Sequence, residues 1–86
     1  MPFWVYILQS EGTGKLYTGQ TSDLERRLRE HNDNHTGKQR FTRKQGAPWH
    51  LLYSEEMPTR AEAMKREKYL KTGKGREWIK QSILKR

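Results

Sequence analysis

The sequence predicts an α+β domain with the element order β-β-α-β-α-α. Three observations lead there. Residues 3–9 (FWVYILQ) and 15–20 (KLYTGQ) are apolar, β-branched and aromatic runs around the turn signal EGTG, the pattern of a hairpin. Ser22-Asp-Leu-Glu25 and Thr59-Arg-Ala-Glu62 are capping-box patterns that open helices. A chain of 86 residues with no repeat, linker or low-complexity stretch holds all of this in one domain, residues 1–86.

In the first strand both parities are apolar: Phe3, Val5 and Ile7 on one side, Trp4, Tyr6 and Leu8 on the other. A sheet covered on both faces produces that pattern. A hairpin loop centred near Gly12 pairs residues whose numbers add to an odd sum, which puts Tyr6 and Tyr17 on one face, opposite or diagonal. The first helix runs to about Asn32, with Leu24, Leu28 and His31 at helical spacing. Residues 33–46 (DNHTGKQRFTRKQG) are polar and basic and read as a long loop of the kind that carries function. Residues 48–55 (PWHLLYSE) read as a third strand, edge-like at Pro48. The helix opened at Thr59 is expected to reach about Thr72, with Gly73 and Gly75 as stop signals. A last helix over 76–85 lines up Trp78, Ile79 and Ile83.

Composition narrows the function. At 31% hydrophobic the core is small, yet three Trp and four Tyr argue against disorder. Without cysteine there is neither a disulfide framework nor a thiolate metal site, which suits a reducing compartment. No apolar run reaches membrane-spanning length, and MPFWVYIL lacks the basic start and cleavage site of a signal peptide, so a cytoplasmic protein with no membrane partner is expected. Eighteen Lys and Arg against ten Asp and Glu give a formal charge of +8. Solubility is the plain account of that excess. Because the basic residues are spread among aromatics and turns rather than along one amphipathic helix, a nucleic acid is the preferred partner.

Four side chains break local rules. Tyr6 and Tyr17 bring hydroxyls where Val or Ile would pack as well, although a cross-strand aromatic pair also explains them. Arg27 borders the Leu24/Leu28 stripe and lies one turn before His31; it is either a snorkelling stem or a guanidinium aimed at a phosphate. Arg26, Arg29 and Glu30 read as ordinary solvated charges. On the second helix, Ala63, Met64, Leu70 and Lys71 trace the sheet-facing stripe, and Glu67 sits at its centre. A carboxylate there needs a metal or an ion pair, with Lys71 or Arg27 as the partner. Other motifs fail: His31-Asn-Asp-Asn-His35 lacks the glutamate of a zinc helix, and GTGK lacks the spacing of a phosphate loop.

Taken in order, these residues resemble the GIY-YIG nuclease superfamily, in particular its small stand-alone bacterial members. Trp4-Val5-Tyr6 stands at the first signature and Tyr17-Thr18-Gly19 at the second. QTSDLERRLREHN looks like the helix that carries the family's arginine, here Arg27, with His31 at a commonly polar position. AEAMKREKYLK resembles the metal-binding helix and places Glu67 at its glutamate. Two positions depart from the family pattern. Trp4 replaces the first motif's glycine, and no asparagine follows Asn34, whereas many members carry one in the last segment.

The resemblance implies a small three-stranded antiparallel sheet flanked by helices and phosphodiester hydrolysis with one divalent metal, Mg²⁺ or Mn²⁺, held by Glu67. It implies that Arg27 neutralises charge on the phosphate, and that Tyr6, Tyr17 or His31 handles the attacking water. Lys38, Arg40, Arg43 and Lys44 in the loop, with Lys71, Lys74 and Arg76, would contact backbone phosphates. DNA is the expected substrate and RNA the alternative, with selection by structure and a link to repair or recombination. A catalytically weak nucleic-acid-binding module is the rival reading, and a protein whose charge serves solubility is the third.

Overall fold

The computed structural model describes residues 2–32 and 48–84. The basic loop expected over 33–46, with Lys38, Arg40, Arg43 and Lys44, lies outside the described residues. The strands are β1 (Phe3–Ser10), β2 (Leu16–Thr21) and β3 (Trp49–Met57), and the helices are α1 (Leu24–Asn32), α2 (Arg60–Leu70) and α3 (Gly73–Ser82). The strands form one antiparallel sheet in the order β2-β1-β3.

A four-residue loop fixes the hairpin register. Ser10 N donates to Lys15 O at 2.9 Å and Gly14 N to Ser10 O at 2.9 Å. Gly14 takes φ 75°, a conformation that glycine adopts without steric cost. The pairing that results sets Tyr6 opposite Gly19 and Leu8 opposite Tyr17, so the two phenols are diagonal neighbours on one face. Central strand β1 is covered on both sides. Val5 and Ile7 pack with Ala63, Leu70 and Ile79 on the α2/α3 side. Tyr6 and Leu8 pack with Trp49, Leu24 and Leu28 on the α1 side.

Four expectations are corrected. The cap of α1 is Asp23 rather than Ser22: Asp23 Oδ1 accepts from Arg26 N at 3.1 Å, while Thr21 Oγ1 accepts from Asp23 N at 3.1 Å. Strand β3 runs on to Met57 and carries a bulge, since Ile7 pairs with Tyr53 but Leu8 with Leu51. The bulge lets Trp49 face α1 while Tyr53 and Leu52 pack on the opposite side of the sheet. Gly73 and Gly75 do not stop a helix between them; both belong to α3, which starts after the cap Thr72, whose side chain accepts from Gly75 N at 3.2 Å. A Cβ at Gly75 would overlap the Tyr69 carbonyl oxygen and the Leu70 Cα, so this glycine is what lets the start of α3 approach α2.

The fourth correction concerns the inward stripe of α2. Ala63 and Leu70 are buried, but Met64 is 49% exposed and Lys71 is also on the surface. The buried line is therefore narrow, and Arg66 and Glu67 flank it. Arg66 Nε reaches Glu55 Oε1 at 3.2 Å and its guanidinium lies 4.8 Å from the Trp78 ring centroid. Thr59 caps α2 as expected, accepting from Glu62 N at 3.2 Å.

Candidate active site

The tyrosine–histidine cluster of the site is built from neighbouring elements on the α1 side of the sheet. Tyr6 rises from the central strand, and its hydroxyl lies over Gly19 of β2, where a Cβ would come within 2.6 Å of it. The glycine of the second motif thus leaves the room that the first motif's tyrosine occupies. From α1, His31 meets that hydroxyl, with 3.1 Å between Nε2 and the phenol oxygen. Tyr17 packs its ring edge to face with His31 at 4.7 Å and tilted against Tyr6 at 6.3 Å between centroids. Trp49 of β3 closes the cluster, 6.3 Å from Tyr17. Asn32 ties the end of α1 to the start of β3: its Oδ1 accepts from Trp49 N at 2.6 Å and its Nδ2 donates to Trp49 O at 3.0 Å.

Tyr6 and His31 are both buried, at 2% and 0% exposure, and burial sets their chemistry. Burial, with Tyr17 adding to it, pushes the Tyr6 phenol well above its usual 10.0, and Glu67 and Glu30 push the same way while Arg27 opposes them. Burial, followed by the Arg27 charge, lowers the His31 imidazole from 6.5 to about 4 against the pull of Glu30. At neutral pH the phenol is protonated and the imidazole neutral. The Tyr6 hydroxyl and His31 Nε2 are hydrogen-bond partners.

Arg27 is 30% exposed, and its Nη1 is 3.4 Å from Glu30 Oε1. Its charge acts on both Tyr6 and His31. Glu30 is not a solvated charge as expected: it is buried and also meets Arg26 at 3.8 Å. A helix pattern shows that Arg26, Arg27 and Glu30 can touch, but not that the carboxylate is covered. Glu67 comes from α2, with its side chain 23% exposed, and its charge is felt at Tyr6. Its Oε2 is 2.7 Å from Lys71 Nζ, so of the two pairings expected for it the Lys71 one forms, while Arg27 goes to Glu30.

Among the described residues no group of three or more His, Cys, Asp or Glu could cage a metal ion. Glu67 fits the other common arrangement, in which Mg²⁺ takes one carboxylate and completes its shell with water and substrate phosphate. The Lys71 ammonium already stands on that carboxylate as an internal cation. Of the basic residues expected to bind phosphate, Lys71 and Arg76 line a cleft between β2 and the α2/α3 pair, and Lys74 is exposed on α3 away from that lining. Sequence reasoning missed Lys80, which lines the same cleft; its turn spacing from Arg76 is the signal that could have found it. It also missed Gly19, Trp49 and Asn32 as parts of the site.

A family model described as the GIY-YIG catalytic domain matches residues 2–81. A UPF0213 protein of Streptococcus agalactiae is 45% identical over 73 residues, covering 83% of this chain and 76% of its own. A UPF0213 protein of Staphylococcus saprophyticus is 38% identical over 69 residues, covering 80% and 79%. Among solved structures, the solution NMR structure of a UPF0213 protein from Bacillus halodurans superposes with a TM-score of 0.55 at 27% identity, over 94% of this chain and 84% of that one.

Proposed function

For a chain that belongs to the GIY-YIG family, we propose the activity of a divalent-cation-dependent endonuclease that hydrolyses phosphodiester bonds in DNA. One observation carries this reading. The chain matches the GIY-YIG catalytic domain over residues 2–81, and the tyrosines at its two signatures meet in ring contact, 6.3 Å between centroids. Two phenols, a guanidinium and a carboxylate are the means to hold a phosphate, a cation and a water together.

Glu67 would hold the divalent cation, which when bound polarises the phosphate and stabilises the departing oxygen. Arg27 binds the phosphate oxygens through the N–H groups that Glu30 does not occupy, and Glu30 fixes the guanidinium for that task. Tyr6 and His31 serve as a rigid, neutral pair. Moving the Tyr6 proton to His31 runs uphill, from a phenol raised above its usual 10.0 to an imidazole lowered to about 4. His31 is also fully covered, so water does not reach it. Tyr17 is half-buried and holds the one phenol of the pair with access to solvent. It orients the attacking water and takes its proton.

Selection of branched or single-stranded DNA, and a role in repair or recombination, are the finer parts of this proposal. A second reading, a nucleic-acid-binding module of weak activity, is favoured by the Lys71 ammonium on Glu67. Incubation of purified protein with branched, duplex and single-stranded DNA, in Mn²⁺ or chelator, separates the two. The nuclease reading expects cuts that need the cation and vanish in Glu67→Ala while binding persists. Binding without turnover under every condition leaves the module; normal cutting by Glu67→Ala removes Glu67 from the mechanism.

A further inference from the structure

Beside the candidate site lies a cleft of about 430 Å³ between strand β2, at the end of the sheet order, and the packed helices α2 and α3. That volume is in the usual range for ligand pockets, roughly 300–1,000 Å³. Leu16 and Leu84 supply the accessible apolar lining over the buried Leu70 and Ile79, and Lys71, Arg76 and Lys80 add three cations with no carboxylate among the described lining residues. Two links join it to the site already described. Tyr17 lines the cleft while its ring packs on His31, and Lys71 lines it while its ammonium pairs with Glu67.

The chemistry of such a lining is that of an apolar body attached to an anion. Cations alone on a convex surface would track a duplex backbone, where the bases are stacked away from the protein. An apolar recess beside them gains nothing from paired bases but shelters an unstacked one. Thr18 is the lining residue with an uncharged hydroxyl outside the tyrosine, so the recess has little means to read base edges and would accept any base.

We propose that this cleft receives an unpaired DNA nucleotide next to the scissile phosphate, its base against Leu16 and Leu84 over the floor formed by Leu70 and Ile79, and its phosphates on Lys71, Arg76 and Lys80. This deepens the nuclease reading and rests on it for the word scissile. Selection of unpaired or flapped DNA then follows from shape, because a paired base does not enter.

The test measures binding in chelator, so that it does not depend on cleavage. Fluorescence anisotropy compares a flapped duplex and an oligothymidylate with a blunt duplex, for the wild type, the exposed double variant Arg76→Glu/Lys80→Glu, and the cleft-filling Thr18→Trp. The double variant is expected to weaken binding to flap and oligothymidylate about tenfold or more, and to lower the slope of log affinity against log salt by about two. Thr18→Trp is expected to remove the preference for unpaired DNA while leaving that salt slope unchanged. In the wild type, oligothymidylate shifts the methyl resonances of Leu16, Leu70 and Ile79, and inorganic phosphate does not. Equal losses on flap and blunt duplex in the double variant, or still methyls, would overturn the proposal. If these binding results hold while the wild type cuts no DNA with Mn²⁺, the cleft stands and the nuclease reading falls. If the wild type cuts but Thr18→Trp keeps its preference for flaps, the nuclease reading stands and the cleft falls.

Discussion

Acidification should destabilise this protein through His31. The imidazole sits at about 4 in the folded state against an ordinary 6.5. It is enclosed by Tyr6 and Tyr17, with Arg27 and Glu30 as the charges that act on it. Between those two values the unfolded chain binds a proton that the folded chain refuses. Stability from this group is therefore fully present above about pH 6.5, falls as the pH drops through that window, and is lost by about pH 4. At about 1.4 kcal/mol per pH unit the loss comes to ~3 kcal/mol. A domain of this size commands only about 4–13 kcal/mol in total, so the effect is large. Carboxylates titrate over part of the same range, and comparison with His31→Gln, which has no titrating ring, removes their share. Urea unfolding at a series of pH values should show the stability difference between wild type and His31→Gln shrinking by ~3 kcal/mol from pH 7 to pH 4. An NMR titration of the wild-type imidazole supplies a check that needs no variant. A flat difference, or an imidazole midpoint near 6.5, would refute the argument that burial and Arg27 hold this ring neutral.

Other perturbations test other contacts. Gly19→Ala pushes a methyl to within 2.6 Å of the Tyr6 hydroxyl and is expected to cost ~1–3 kcal/mol by overpacking, with a smaller cost in a Tyr6→Phe background, read as coupling in a double-mutant cycle of urea midpoints. Gly75→Ala meets backbone of α2 and should cost about 2–3 kcal/mol, whereas Gly73→Ala has open space around it and should be neutral or mildly stabilising in the same assay. Lys71→Met frees Glu67 of its half-exposed partner, and calorimetry should find Mn²⁺ bound about two- to fivefold more tightly, the equivalent of a weak surface ion pair.

The hairpin was legible because its register is local. A short Gly-rich loop sets the pairing, and the pairing sets which side chains share a face, so the Tyr6–Tyr17 relation followed from EGTG and a period of two. The two-sided cover of β1 was legible for a similar reason, in the apolar residues of both parities. Features that depend on contacts between distant elements were not. The β3 bulge answers to the need to point Trp49 at α1 and Tyr53 at Trp78, and nothing in PWHLLYSE marks it. Gly75 read as a stop signal because close backbone approach and a left-handed cap call for the same residue. Burial of Glu30 depends on what covers α1, while the pairing of Glu67 was readable as a choice between Lys71 and Arg27 that only packing decides.

The idea on which the functional account stands is that a divalent cation sits at Glu67 within reach of Tyr6, Tyr17 and Arg27. Paramagnetic broadening by Mn²⁺ in NMR spectra measures that directly. The account predicts that substoichiometric Mn²⁺ broadens the ring resonances of Tyr6 and Tyr17 and the guanidinium of Arg27 first, and that Glu67→Gln abolishes the effect while the fold persists. Broadening that spares these three residues, or survives unchanged in Glu67→Gln, would contradict it.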